Sequence, residues 1–333
     1  MERALAALAI PGWDPRARSV RAVGHGESFD AWLIADAAGA LPPLVARVAR
    51  RADMPKPIEQ EAAALREAEG LGLAPRLWTF DGDPSNPLGA PYLVLSFVPG
   101  EVRSPDKWTL GNVDAVIDLA ARLHAATSRP GSSSGIEWYE GSMAHWRAVA
   151  PETLAAEPVA RLVTAVDEFV QARAGAFDRV REVALIHGDL VASNILLSGD
   201  GPAFIDWEWA EVHDVARDLA LIGGQSFGGP WYVPLDDAQV AALVARYCAA
   251  RGIHGRDATD LAARRDVWMA LDRLFSSIHF SRSENPSFRS AAAIMQGTLA
   301  AWLGVSISPP SSEPLGLAGP AGVLPHPRPR SDG

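Results

Sequence analysis

Cysteine is all but missing from this 333-residue chain, with Cys248 the single one. A lone thiol excludes an internal disulfide, so packing and hydrogen bonds must hold the fold, and a reducing, cytoplasmic setting is the default expectation. Cys248 falls in the apolar helical stretch 241–250, where a buried, inert thiol is expected rather than a nucleophile. Lysine is scarce too: Lys56 and Lys107 are the only two among 30 basic residues. Coding bias accounts for that scarcity, but it leaves few lysines for any role that needs one. Long apolar runs are lacking, and nothing approaches the ~20 residues of a membrane span. Residues 5–10 follow Glu2 and Arg3 without a small-residue cleavage site, and read as a short helix rather than a signal peptide. Positive charge is in deficit, with a formal net charge of −10. That argues against nucleic acid or an anionic membrane surface as partner, and permits a cationic small molecule.

What is present is a large apolar fraction, 48% of residues, enough for a sizeable core in a chain long enough for a two-part enzyme. Residues 18–98 alternate short strands around one helix. Strands are expected at 19–24, 29–36, 44–48, 76–80 and 92–98, and Ile58, Ala62 and Leu65 set a helix over 58–69. From residue 101 the chain reads as helical, with helices over 113–128, 154–174, 238–251, 259–283 and 290–303. From Ser306 the proline density forbids helix or central strand and the apolar content is low, so 306–333 reads as a disordered tail. No internal repeat is evident.

The densest chemistry lies in 185–208, LIHGDLVASNILLSGDGPAFIDWE. Asp189 and Asn194 stand five apart in an H-G-D-x-x-x-x-N string. At that spacing a phosphoryl-transfer loop carries a base for the attacking hydroxyl and a ligand for Mg²⁺. Asp206 ends a short apolar strand, where a second metal-binding Asp belongs. Singly, each could cap a turn, since Asp and Asn bond their own backbone. All three together favour the functional reading, because phosphoryl transfer needs positioned oxygens and neutralised charge more than covalent help.

The string His187-Gly188-Asp189…Asn194, then Ile205-Asp206-Trp207-Glu208, then Asp218-Leu219-Ala220, resembles the aminoglycoside phosphotransferase and choline kinase-like family over roughly residues 15–304. The resemblance implies an α+β, bilobal protein-kinase-like fold. A small antiparallel-sheet lobe with one main helix would span 1–98, a larger helical lobe 99–305, and the tail 306–333. It implies ATP and Mg²⁺, with Asp189 as base, Asn194 and Asp206 on the metal, and His187 and Asp218 as architecture.

In Val23-Gly24-His25-Gly26-Glu27-Ser28-Phe29, two glycines let backbone amides approach phosphates, and the resemblance points to Gly26 and Ser28 as contacts. A plain hairpin turn is the alternative. Where a kinase-like fold carries a strand lysine, this chain has Arg47, with Glu61 the chosen helix partner; Arg is a permanently charged, bidentate phosphate binder. An ordinary exposed arginine near Arg50 and Arg51 is the alternative, and Lys56 a lesser substitute. Ser96, Phe97 and Val98 resemble the lobe hinge whose main chain holds adenine.

The acceptor would be a small molecule with a hydroxyl, and an amine on it fits the charge. Only 207–217 separate Asp206 from the Asp218 block, too short for a peptide-docking loop. Its pocket would come from about 135–180 and 225–285, with Trp231 and Tyr232 as candidate lining. Asp236, Asp237, Asp266, Asp272 and Glu284 could attract an amine, or cap helices and face solvent. Two other readings stand beside this one. A metal-dependent hydrolase would use His187, Asp189, Asp206 and His213-Asp214. An inactive nucleotide-binding regulator would explain Arg47 and the sparse glycine loop.

Overall fold

Period-two alternation in 18–98 builds a five-stranded antiparallel sheet: β1 (Arg18–His25), β2 (Phe29–Asp36), β3 (Leu44–Ala49), β4 (Leu77–Asp81) and β5 (Tyr92–Ser96), in the order β1-β2-β3-β5-β4. The computed structural model describes residues 1–51, 54 and 56–307. The sequence expectation of a disordered tail falls outside the described residues from 308 onward. Strand β3 is central, pairing with β2 and β5. Its Leu44, Ala46 and Val48 share one face with Ile34, Tyr92 and Val94. Leu5, Leu8, Ile10 and Trp13, from and just after helix α1 (Glu2–Ala7), cover that face. Arg18 fastens this cover, donating to the carbonyls of Leu8 and Trp13 at 2.6 Å each. Alternation then turns Arg47 to the opposite face, where helix α2 (Ile58–Glu69) packs with Ile58, Glu61, Ala62 and Leu65 inward.

Two further strands join this unit: β8 (Ile195–Ser198) and β9 (Gly201–Phe204), which pair with each other. Glu101 and Leu197 exchange backbone hydrogen bonds of 3.0 and 2.9 Å. The compact unit is therefore Met1–Glu101 together with Leu196–Glu211, so the polypeptide returns to the first unit after the H-G-D-x-x-x-x-N string. A single division near residue 98 misses that return, because backbone pairing across a hundred residues leaves no local composition signal.

The second unit takes in Val102–Ile195 and the chain from Val212. It holds α3 (Leu110–Ala126), α4 (Gly135–Val149), α5 (Pro151–Ala155), α6 (Val159–Gln171), α7 (Ala216–Ile222), α8 (Asp237–Arg251), α9 (Gly255–Ser281) and α10 (Pro286–Leu303). Strand β6 (Arg129–Pro130) pairs antiparallel with β7 (Glu182–Ile186). The long α9 is buried on all sides from Val267 to Ile278, as a helix at the centre of a core must be. The expected helix over 154–174 is in fact two: Pro158 lacks an amide hydrogen and separates α5 from α6. Helix α4 is capped by the Ser134 hydroxyl, which accepts from the Glu137 amide at 3.1 Å. Cys248 is buried in α8, as expected. Among the described residues no helix is long and apolar enough to cross a membrane.

Candidate functional site

In the first unit one guanidinium faces three carboxylates. Arg47 donates through Nη1 to Glu61 Oε1 and through Nη2 to Asp206 Oδ1. Its guanidinium lies 4.2 Å from the centre of the Phe29 ring, so an aromatic face supports the fork from one side. Arg47 is 8% exposed, which removes the reading of an ordinary surface arginine. Lys56 is engaged elsewhere, donating to Trp209 O at 3.2 Å and Glu211 Oε2 at 3.0 Å.

The charges do not balance. Burial pushes Glu61 up to about 7 against the pull of Arg47. Burial, then the Asp206 charge, pushes Glu208 up to about 8. Burial opposes the Arg47 charge, but Asp206, Glu61 and Glu208 outweigh it and hold the guanidinium firmly protonated. Asp206 itself is strained: at φ 65° it is the only non-glycine residue with positive φ among the described residues. A left-handed Asp costs about 1–3 kcal/mol, and the hydrogen bond to Arg47 helps to hold it there.

The turn between β1 and β2 closes with the Gly26 amide donating to Phe29 O at 2.8 Å. A Cβ on Gly26 would meet that same carbonyl at 3.0 Å, so a side chain is crowded out. Arg50 donates to Gly26 O at 2.6 Å. Ser28 is buried beside Glu208, where its hydroxyl opposes the rise that burial imposes on that carboxyl. At the end of β5, Ser96 is fixed by its amide to Arg76 O at 2.9 Å, and its hydroxyl accepts from Trp78 Nε1 at 3.0 Å. The Phe97 amide donates to Pro43 O at 3.0 Å while its side chain is 44% exposed. Gly26, Ser28, Arg47, Glu61, Asp206 and the 96–98 stretch thus belong to one unit, with the first five linked through Phe29, Arg47 and Glu208.

Asp189 and Asn194 belong to the second unit. Strand β7 delivers His187, Gly188 at φ 77°, and then Asp189. The Asn194 amide Nδ2 donates to the Asp189 carboxylate and, at 3.1 Å, to the Asp189 carbonyl. That spends the nitrogen end on Asp189 and leaves Oδ1 as the end a cation would take. Asp218, read from sequence as architecture, accepts from the amides of His187 and Gly188 at 2.8 and 2.9 Å, and from His124 Nε2 at 3.1 Å. His124 was not picked out by the sequence reading; its place on the inward stripe of α3 looked like ordinary core.

Trp231 and Tyr232 are core rather than exposed pocket lining. The Trp231 ring stacks on Phe280 at 4.3 Å and 3°, and its carbonyl accepts from the Ala192 amide at 2.7 Å, bracing the segment between Asp189 and Asn194. Of the acidic residues offered for an amine, Asp236 caps α8, Asp237 accepts from Gln225, Asp266 pairs with Arg265 and Asp272 with Arg273. Asp214 accepts from Arg264 at 2.9 Å and Trp268 at 3.0 Å, which makes it a structural cap and removes His213-Asp214 as a metal pair. Glu208 is the addition that sequence alone underweighted, although it sits two places after Asp206.

The donor set fits a hard divalent cation. Asp206 presents a carboxylate 30% exposed, and Glu208 Oε2 is buried with no hydrogen-bond partner among the described residues. No group of three or more His, Cys, Asp or Glu among the described residues forms a cage of its own. Mg²⁺ commonly takes only one or two carboxylates and completes its shell with phosphates and water.

A sequence model of the phosphotransferase enzyme family matches residues 19–265, most of the chain, and the chain belongs to that family. Among the curated proteins none matches its sequence. Solved structures share the fold. A choline kinase from Cryptosporidium parvum Iowa II aligns over 88% of this chain and 91% of its own, at 13% identity and a TM-score of 0.61. A Plasmodium vivax ethanolamine kinase aligns over 87% and 83%, at 13% identity and 0.60. An aminoglycoside phosphotransferase from Alicyclobacillus acidocaldarius aligns over 86% and 91%, at 16% identity and 0.53. Identities this low carry the kinase-like fold and not the acceptor.

Proposed function

We propose that this member of the phosphotransferase enzyme family transfers the γ-phosphate of ATP to a hydroxyl of a small polar acceptor that carries an amine. The observation that carries the reading is Arg47, held by Glu61 and Asp206 together. By the family resemblance, Arg47, Glu61 and Asp206 would serve as the phosphate-binding cation, its helix partner and the metal-binding Asp. An inactive regulator has no need of a base, yet Asp189 is present with Asn194 bonded to it.

In the proposed reaction the acceptor oxygen attacks the γ-phosphorus. Asp189 takes the hydroxyl proton, the bond from phosphorus to the bridging oxygen breaks, and ADP leaves with that electron pair. Arg47 binds the α- and β-phosphates, and the Gly26–Ser28 turn covers them with backbone amides. Main-chain groups of Ser96, Phe97 and Val98 hold the adenine edge. Asn194 and Asp206 are the residues that would hold Mg²⁺, which when bound would supply positive charge against that developing on the phosphate oxygens.

Asp189→Asn tests the base. It should lower kcat by about 10²–10⁴-fold, the usual worth of a positioned general base, while the Kd of Mg-ATP stays near wild type. Near-normal kcat in Asp189→Asn with a turned-over acceptor would refute the assignment. For the acceptor, ADP release is followed on matched pairs of amino and neutral hydroxyl compounds. The amine follows from the chain's net charge of −10, and turnover confined to neutral or anionic acceptors would remove it.

A further inference from the structure

The two amides that precede Asp189 are held by Asp218, and the hydrogen bonds continue outward from there. Asp218 accepts from the backbone amides of His187 and Gly188 and from His124 Nε2, and the side chains of Asp218, His124 and His187 are fully buried. Burial opposes the Asp218 charge, but His124 and the His187 contacts outweigh it and keep the carboxyl below its ordinary range. An ionised carboxylate has no hydrogen to give, so the proton between them sits on Nε2. His124 Nδ1 is then the acceptor, and its partner is the Tyr247 hydroxyl at 2.9 Å, on α8. Burial pushes the Tyr247 phenol up, so it remains an O–H and can donate. Arg251 Nη1 donates to the same phenol oxygen at 3.3 Å, which leaves the phenol hydrogen free to point at Nδ1.

The path then closes on itself. Arg251 Nη2 donates to Glu182 Oε1 at 2.6 Å. Glu182 opens β7, the strand that ends one residue before His187. From catalytic string to α7, α3, α8 and back to β7, one circuit of hydrogen bonds runs through Asp218, His124, Tyr247, Arg251 and Glu182. The reversed imidazole tautomer would set a bare Nε2 against the Asp218 carboxylate, leaving two acceptors face to face in a buried site.

We propose that Tyr247 is a positioning residue for phosphoryl transfer: its hydroxyl holds His124 in the Nε2–H tautomer and so fixes, through Asp218, the backbone that carries Asp189. Arg251 and Glu182 close the ring and hold the phenol in place. The proposal rests on Asp189 as the base, and its test separates the two.

In the wild-type protein, ¹⁵N–¹H correlation spectra of the imidazole should show His124 Nε2 protonated and Nδ1 bare. Tyr247→Phe removes only the hydroxyl. It should speed hydrogen exchange at the His187 and Gly188 amides by about tenfold, the weight of one good buried hydrogen bond. It should lower kcat for Mg-ATP turnover, with water as the probe acceptor, by a similar factor at unchanged KM for Mg-ATP. Arg251→Lys keeps the charge but cannot span the phenol and Glu182, and should move both readouts the same way by less. If Tyr247→Phe does not fold, the wild-type spectrum and Arg251→Lys decide. His124 protonated on Nδ1 or on both nitrogens, or a folded Tyr247→Phe with native exchange and kcat, overturns the proposal. Asp189→Asn should lower turnover by about 10²–10⁴-fold and leave the exchange slow. Near-normal turnover in that variant sinks the base assignment, and the exchange readout alone then decides on Tyr247.

Discussion

Replacing Glu61 by Gln isolates the charge imbalance around Arg47. In the folded protein Glu61 titrates near 7, against an ordinary value of 4.5, because burial outweighs the pull of Arg47. Between those two values the folded state keeps a proton that the unfolded state has released. Stability therefore falls as pH rises through that window, and the loss is complete above the folded value. At 1.36 kcal/mol for each pKa unit, the loss assigned to Glu61 is roughly 3 kcal/mol between pH 5 and pH 8. Glu61→Gln carries no titrating proton and should flatten the wild-type curve by about that amount. It also relieves Glu208, whose raised value draws in part on the Glu61 charge.

The assay is urea denaturation followed by tryptophan fluorescence at pH 5, 6, 7, 8 and 9. The comparison is wild type against Glu61→Gln, so every group that titrates alike in both proteins cancels. The expected result is near-equal stability at pH 8 and above, or a variant more stable there, with the wild type ahead only at low pH. Saturating Mg²⁺ should narrow the difference, since a cation beside Asp206 offsets the excess negative charge. A variant that loses more stability at pH 8 than at pH 5 would refute the reasoning. It would mean that Glu61 is ionised and well satisfied by Arg47, and that the cluster needs no further cation.

Two further substitutions read the same cluster. Asp206→Ala should weaken Mg-ATP binding as well as turnover, whereas Asp189→Asn spares binding; calorimetric titration with Mg-ATP distinguishes them, and equal Kd values would put Asp206 off the metal. Arg47→Lys offers one nitrogen where the native fork reaches two carboxylates through different nitrogens. It should raise the KM for ATP by about tenfold and lower the melting temperature, since leaving a buried carboxylate unpaired costs several kcal/mol; an unchanged KM would show that Arg47 serves only the fold.

Much of this was legible because the signals are local. Alternation gave β2 and β3 nearly to the residue, and helical spacing gave α2 in full. The H-G-D-x-x-x-x-N string stands out for a different reason: if Asp189, Asn194 and Asp206 have the proposed roles, chemistry fixes their spacing and packing has little freedom to blur it. Where the reading slipped, it passed over punctuation or depended on distant contacts. Pro151 and Pro158 stand in plain sight at the joints of α5 and α6. The return of Leu196–Glu211 to the first unit, by contrast, depends on Glu101 meeting Leu197, and no window of sequence contains both.

The same distinction separates the residues that sequence weighed well from those it undervalued. Arg47 invited doubt because an arginine near two others on a short strand is an ordinary surface pattern. What settles its environment is neighbours at long range: Phe29 under the guanidinium, Glu61 from α2 and Asp206 from a segment 159 positions away. His124 and Tyr247 drew no attention in the sequence for the converse reason. Their apolar neighbours are what periodicity detects, whereas their polar atoms meet only in the folded second unit, 123 positions apart. A buried polar side chain on an apolar helical face must find a partner or destabilise the fold. An isolated His or Tyr on such a stripe therefore carries information, even though the sequence cannot name its partner. Here the partners lead to the backbone of the proposed base. Residues that look like core in the sequence thereby become part of the argument about catalysis.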